Sequence, residues 1–271
     1  MIKIITDSSS NITVEEAASL GIDVMPLTIN FGNEEFVDGV DITFDEFYKK
    51  MRESKEFPHT SQLTEAQVEE AVNAALKEAD EVLILPLASQ LSGSYERCKA
   101  VAAKYDNVYV YDTKCTTVML KLCVIEALKI IDKGVDAICA MLDELRPKLK
   151  IYAVLDTLDN LRKGGRLSNV SAVIGSLLKI KPVITFSVDG KVEMISKQFG
   201  INKGINYICS IIDKDKIDFT KPVYLIYTEN DKNAEVLSSK LGIKFSEKGN
   251  ICPVIGTHIG ADAAGVVFAE K

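Results

Sequence analysis

The stretch Glu81-Val82-Leu83-Ile84-Leu85-Pro86-Leu87-Ala88-Ser89-Gln90-Leu91-Ser92-Gly93-Ser94-Tyr95-Glu96-Arg97 decides how the rest of the chain is read. Val82-Leu83-Ile84-Leu85 is a short unbroken apolar run, the pattern of a strand covered on both faces in a parallel sheet. Pro86 ends it and a hydroxyl-rich turn follows. From Tyr95 onward, Cys98, Val101 and Ala102 repeat at helical spacing. A helix that starts just past the carboxyl end of such a strand directs free N–H groups and positive dipole character into the crevice there. Ser92 and Ser94 add hydroxyls at the same point. Two readings stand: an anion-binding corner, or a Ser92 that only caps the helix.

The same alternation continues on both sides of this unit. Ile2–Thr6 reads as a strand ending in Asp7-Ser8-Ser9-Ser10, and Asp23–Phe31 as extended chain broken at Pro26. Thr13 with Glu16, Thr43 with Glu46 and Thr64 with Gln67 have the capping-box spacing and open three helices. Pro58-His59-Thr60-Ser61-Gln62 is a second hydroxyl-rich turn. Asn107–Tyr111 is a strand, Thr116–Lys133 an amphipathic helix and Val135–Leu149 another helix. Ile151–Leu155 is a strand, followed by a short helix that stops at Gly164-Gly165 and a helix over Val170–Leu178 that is apolar nearly all round. Asp189-Gly190 is a strong hairpin signal. Gly200–Ile212 and Asn233–Leu241 read as helices, and Val223–Tyr227, Ile251–Ile255 and Ala264–Ala269 as strands. The expected class is α/β, with two α/β domains and largely parallel sheets, divided near Ile151 into 1–150 and 151–271.

Composition narrows the function. A formal charge of −7 argues against nucleic acid or an anionic membrane as main partner. No apolar run approaches the roughly 18 residues of a membrane span. Met1–Asp7 reads directly as a first strand with no secretory signal ahead of it. The 6 cysteines lack Cys-x-x-Cys spacing and sit mostly in apolar surroundings, as expected of reduced thiols in a cytoplasmic protein. With 2 histidines, His59 and His258, a histidine-rich metal site is not expected. The glycine pattern of dinucleotide sites, the Walker loop and the Gly-x-Ser-x-Gly elbow are all absent from the sequence.

What remains is a set of small polar clusters at strand ends, where open α/β sheets bind ligands. Asp7–Ser10, Thr60-Ser61, Ser89–Ser94, Asp112–Lys114, Asp156-Thr157 and Thr257-His258 supply hydroxyls and one imidazole without a dense Lys/Arg clamp. That set suits a single carboxylate or phosphate. Other roles stay open at this point. Ser92 with His258 has the composition of a nucleophile and base for a hydrolase or phosphotransfer enzyme, and His258 is equally a hydrogen-bonded loop histidine. Asp7, Asp112 and Asp156 are metal carboxylates or turn caps, and Arg166 faces an anion or helix carbonyls.

Taken in order, Thr6-Asp7-Ser8-Ser9, Pro58–Gln62, Ser89–Tyr95, Leu158-Asp159-Asn160-Leu161-Arg162-Lys163-Gly164-Gly165-Arg166-Leu167-Ser168 and Gly256-Thr257-His258-Ile259-Gly260 resemble the DegV family of bacterial lipid-binding proteins. The resemblance runs over essentially the whole length. It implies two α/β domains with a long-chain fatty acid in the crevice between them, and no cofactor. It also implies the role of a non-catalytic subunit that presents the fatty-acid carboxylate to a separate ATP-dependent kinase subunit. By that likeness Thr60 and Ser92 hold the carboxylate, with Ser61, Ser94 and His258 in the surrounding network and Arg166 as a partner or anion contact. A lipid-sensing regulatory module is a further alternative. The chain departs from the family pattern at Ala261-Asp262, where small residues are usual, and at Lys197-Gln198-Phe199-Gly200, where relatives carry an Arg-rich helix start.

Overall fold

The computed structural model describes residues 1–167 and 180–271, so the apolar helix expected over Val170–Leu178 lies outside the described residues. The chain begins with β1 (Ile2–Asp7), α1 (Val14–Leu20), β2 (Asp23–Met25), β3 (Thr28–Phe31) and β4 (Glu34–Val37). Then come α2 (Phe44–Glu53), β5 (His59–Ser61), α3 (Glu65–Ala75), β6 (Glu81–Leu85), α4 (Ser94–Ala102) and β7 (Val108–Val110). Helices α5 (Thr117–Leu128) and α6 (Val135–Leu145) lead to β8 (Leu149–Val154) and α7 (Asp159–Lys163). The hairpin β9 (Ile180–Phe186) and β10 (Val192–Phe199) is followed by α8 (Ile201–Ile211), β11 (Tyr224–Tyr227) and α9 (Lys232–Leu241). Strand β12 (Glu247–Asn250), α10 (Pro253–Ile259) and β13 (Ala264–Ala269) close the fold.

The first sheet has the order β2-β1-β6-β7 and is parallel throughout. Its central strands carry the apolar runs, and Ile4, Ile5 and Val82 through Leu85 are fully buried. Both reciprocal boxes form, Thr43 with Glu46 at the start of α2 and Thr64 with Gln67 at the start of α3. At α1 only one half forms: the Thr13 hydroxyl accepts from the Glu16 N–H.

The second sheet differs from the largely parallel expectation. Its order is β10-β9-β8-β13-β11-β12, and β11–β12 is its one parallel pair among the described residues. Strand–helix alternation implies parallel neighbours only when each helix crosses the sheet in one sense. Here the last strand, β13, runs back between β8 and β11, and the Asp189-Gly190 turn folds β10 onto β9.

Three more elements depart from the sequence reading. The turn expected at Pro58–Gln62 is strand β5, paired antiparallel with β3 so that Thr60 faces Ile29. Its side chains are polar, so only main-chain pairing marks it as a strand. The expected strand Ile251–Ile255 is instead the start of α10, with Pro253 in the first turn where its missing N–H costs nothing. This helix packs closely against α2, and a Cβ at Gly256 would sit 2.5 Å from the Tyr48 hydroxyl. The helix expected to be amphipathic, α5, is buried on nearly every face. It touches β1 on one side and β8 and β13 on the other, which places it between the two sheets. Its Lys121 is buried and reaches Glu16 on α1 at 2.8 Å and Glu247 on β12 at 2.9 Å.

Candidate functional site

At the junction of the two sheets lies a cavity of about 50 Å³ lined by Thr60, Ser61, Gln62, Ser92, Thr116, Arg166 and His258, with apolar walls from Leu27, Leu87, Leu161, Phe186 and Val192. Residues separated by nearly the whole sequence thus share one site. Ser94, also expected in the network, stands behind this wall, fully buried.

Each hydroxyl is held by a specific partner. Strand β5 places Thr60 so that its Oγ1 lies 2.9 Å from His258 Nε2 in the last turn of α10. In the turn after β6, Ser92 Oγ lies 3.0 Å from Ser94 Oγ and accepts the Ser94 N–H at 3.2 Å. Ser94 Oγ in turn accepts the Leu63 N–H at 3.1 Å. Either serine can donate in the Ser92–Ser94 bond; when Ser94 donates, the Ser92 proton is free for the cavity. The N-cap position of α4 is Gly93, so Ser92 is not the side-chain cap of the helix body. Ser61 is exposed at the edge and accepts from the Asn30 amide at 3.1 Å.

The imidazole is neutral at physiological pH. Burial pushes the His258 pKa down to about 4, helped by the positive Arg166 and by His59. Its Nδ1 is buried with no hydrogen-bond partner among the described residues and faces Gly164, where an added Cβ would collide with it. The Asn160 amide of α7 donates to the Thr257 carbonyl of α10 at 3.1 Å and fixes the two helices together.

Arg166 spends its donors on main-chain carbonyls at the wall of the cavity. Its Nε–H donates to the Leu91 carbonyl at 3.0 Å and its guanidinium also donates to the Gly164 carbonyl, yet the side chain lines the cavity. Thr116 was not singled out in the sequence. It is 2% exposed, lines the cavity and has no partner for its hydroxyl among the described residues. It stands at the N-cap of α5 without making a cap bond, flanked by Lys114 and Thr117 at φ +53° and +52°. Only the adjacent Thr116-Thr117 pair after a strand hints at this in the sequence.

The remaining candidates resolve into turn and ion-pair chemistry. Asp7 accepts from the Ser9 and Leu87 N–H groups at 3.0 and 2.7 Å. Asp112 accepts from the Ser89 and Lys114 N–H groups, and Asp156 pairs with Lys181. Among the described residues no group of three or more His, Cys, Asp and Glu side chains is arranged to hold a metal. His258 bonds to Thr60 and Ser92 to Ser94, so the serine–imidazole hydrogen bond of a nucleophile and its base is not formed.

Fold and cavity define an α/β protein with two larger sheets, a small third one of order β4-β3-β5, and a small internal site built from hydroxyls around one neutral imidazole. The model of the uncharacterised DegV family matches residues 1–271, and the chain belongs to that family. It is 35% identical to a DegV domain-containing protein of Caldanaerobacter subterraneus, over 100% of this chain and 99% of the relative. A fatty acid binding DegV family protein from Streptococcus agalactiae has a TM-score of 0.90 at 28% identity, covering 100% of this chain and 99% of the other. A DegV family protein from Thermus thermophilus, described for its fatty acid binding, gives 0.89 at 28% identity with the same coverage. Among the described residues no helix is long and apolar enough to cross a membrane.

Proposed function

We propose that this protein binds a long-chain fatty acid and is not itself an enzyme, with Thr60 and Ser92 donating to the carboxylate. The observation that carries this reading is the pairing around the cavity. Ser94 leaves the Ser92 proton unspent when it is the donor of their bond, and His258 does the same for Thr60 when its proton sits on Nε2. Ser94 and His258 are therefore positioning residues, Ser61 sits at the edge, and Arg166 adds positive charge to the wall.

The cavity matches a head group in size, with room on the order of one or two waters. In this reading the tail passes Leu161, Phe186, Val192 and Ile259 and parts the small apolar cluster they form between α7, α10 and the β9–β10 hairpin. Burial contributes roughly 0.8 kcal/mol per methylene, so a long tail supplies on the order of 10 kcal/mol before ordering costs. Each hydrogen bond to the carboxylate adds about 1.5–3 kcal/mol. The tail sets affinity and the hydroxyls set orientation. The solved relatives named for fatty-acid binding support the reading.

The same reading makes the protein a cytoplasmic subunit, divided near residue 150, that presents the carboxylate to a separate ATP-dependent kinase for acyl-phosphate formation. Native mass spectrometry of the purified protein with organic extraction tests the lipid step. One fatty acid per chain is expected; a protein that carries none and takes up none when supplied overturns it. Acyl-phosphate formation with a purified candidate kinase, present only when this protein is added, tests the second step.

A further inference from the structure

We infer that the cleft between the starts of α1 and α2 is a second ligand site, separate from the head-group cavity, for a small primary aliphatic amine in its ammonium form. The cleft has a volume of about 490 Å³, within the roughly 300–1,000 Å³ of ligand pockets. Pro26 lines this cleft and Leu27 the head-group cavity, so the β2–β3 turn stands between the two. The walls are apolar, from Ile12, Val24, Ile42 and Phe44, and Val14 and Val40 at its rim are 61% and 66% exposed.

The ionisable groups that line it are acids and one thiol: Asp38, Asp41, Glu15, Glu46 and Cys252, with no Lys, Arg or His among the described lining residues. Asp38 is the decisive one. It is 3% exposed, and neither carboxylate oxygen meets a hydrogen-bond donor among the described residues. The Ser8 hydroxyl and the Val254 N–H lie beside it without reaching hydrogen-bond geometry, and Ser8 Oγ is held by the Leu27 N–H, which it accepts at 3.1 Å. Burial pushes the Asp38 carboxyl up to about 7, as happens when a buried carboxylate has no cation beside it. Buried polar groups in folded proteins are almost always paired, so a donor arriving with a ligand completes this one.

An anion is disfavoured, because acids line the cleft without a cation among the described lining residues and both helix starts are already capped by the protein's own side chains. Thr13 Oγ1 takes the Glu16 N–H, Thr43 Oγ1 takes the Glu46 N–H, and the Glu46 carboxylate folds back on the Thr43 N–H. Asp41 is likewise occupied by the Val37 N–H. The cleft therefore offers apolar contact and negative charge, the complement of an alkylammonium.

Titration of the protein, carrying whatever fatty acid it holds, with n-hexylamine, hexan-1-ol and hexanoate tests this. The amine should bind about tenfold more tightly than the alcohol, and hexanoate should not bind. Asp38→Asn should remove the preference for the amine while leaving fatty-acid uptake intact. Because Asp38 is buried and its substitution can disturb folding, Val40→Lys tests the site from its exposed rim. That variant should melt like the parent and bind n-hexylamine about tenfold more weakly, since its own ammonium competes. Equal binding of amine and alcohol, a preference that survives Asp38→Asn, or unchanged binding by Val40→Lys overturns the inference.

Discussion

Replacing Ser92 with alanine separates the two tasks that the turn after β6 performs. In the proposed complex the Ser92 proton donates to the fatty-acid carboxylate, a charge-assisted bond that contributes about 1.5–3 kcal/mol. At 1.4 kcal/mol per tenfold, its loss should weaken palmitate binding by roughly 10- to 150-fold. The tail term, on the order of 10 kcal/mol, is untouched, so the variant should still bind. A second effect falls on folding. Ser94 is fully buried, and Ser92 Oγ accepts its N–H and stands as the acceptor for its hydroxyl proton. Ser92→Ala strands both, at a cost of about 1–3 kcal/mol in stability. The assay is displacement of a fluorescent fatty acid by palmitate and by hexadecan-1-ol, alongside urea unfolding of both proteins. The alcohol carries the same tail but no charge, so its bond to Ser92 contributes about 0.5–1.5 kcal/mol and its affinity should fall by roughly 2- to 12-fold. Palmitate binding within about twofold of the parent, or acid and alcohol weakened alike, would refute the assignment of Ser92 to the carboxylate.

Four further outcomes follow from the same geometry. His258, at about 4 in the fold against a usual 6.5, binds fewer protons folded than unfolded between those values, so its contribution to stability rises with pH there and is lost on acidification. Asp38, pushed up to about 7, has the opposite slope between its ordinary value and 7. The difference between parent and His258→Gln in urea titrations from pH 4 to pH 7 isolates the histidine, on the order of 3 kcal/mol at the extreme; parallel curves would remove His258 as the source. Gly164→Ala should push the His258 ring off Thr60 and weaken fatty-acid binding, read by the same displacement assay, and an unchanged affinity would mean that the Thr60–His258 bond does not position the donor. Phe186→Trp should lower affinity for palmitate more than for octanoate if the tail passes the β9–β10 hairpin, whereas equal effects on both would place the tail elsewhere. Lys121→Met should cost about 1–3 kcal/mol in urea unfolding, because it keeps the packing of α5 but leaves Glu16 and Glu247 unpaired; their partial exposure holds the cost below that of a fully buried pair.

How far these features were legible in the sequence depends on where their causes lie. Local causes read through: the apolar run Val82–Leu85, the Thr43 and Thr64 capping boxes and the Asp189-Gly190 turn each carry their explanation within a few residues. Non-local causes did not. Strand β5 is polar and exists because β3 pairs with it, α10 is a β-branched run made helical by Pro253 and its packing on α2, and β13 reverses the direction of a sheet from the far end of the chain. The amphipathic reading of α5 failed because the second sheet covers the face that would otherwise meet water.

The site follows the same division, with a consequence for how it works. The sequence is an inventory of hydroxyls, and Ser92 and Ser94 are indistinguishable within it. The Leu63 N–H, contributed 31 residues earlier in the chain, anchors Ser94 Oγ behind the wall, and Ser92 is the serine that lines the cavity. Thr60 is set in the same way by an imidazole 198 residues away, which burial keeps neutral. In this arrangement the neutral ring donates through Nε2 to Thr60, and the proton added in acid goes to Nδ1, which faces Gly164 rather than the head group. The Thr60 donor is kept, and the new positive charge beside the site attracts an anion. Acid therefore acts on carboxylate binding in two opposed ways, weakening it as the ligand takes its proton and strengthening it as His258 charges, and a ligand whose own pKa lies well below about 4, such as an alkyl sulfonate, separates the two. Alkyl-sulfonate binding should tighten as the pH falls through about 4; binding that stays constant or weakens across that range would show that His258 does not stand beside the head group.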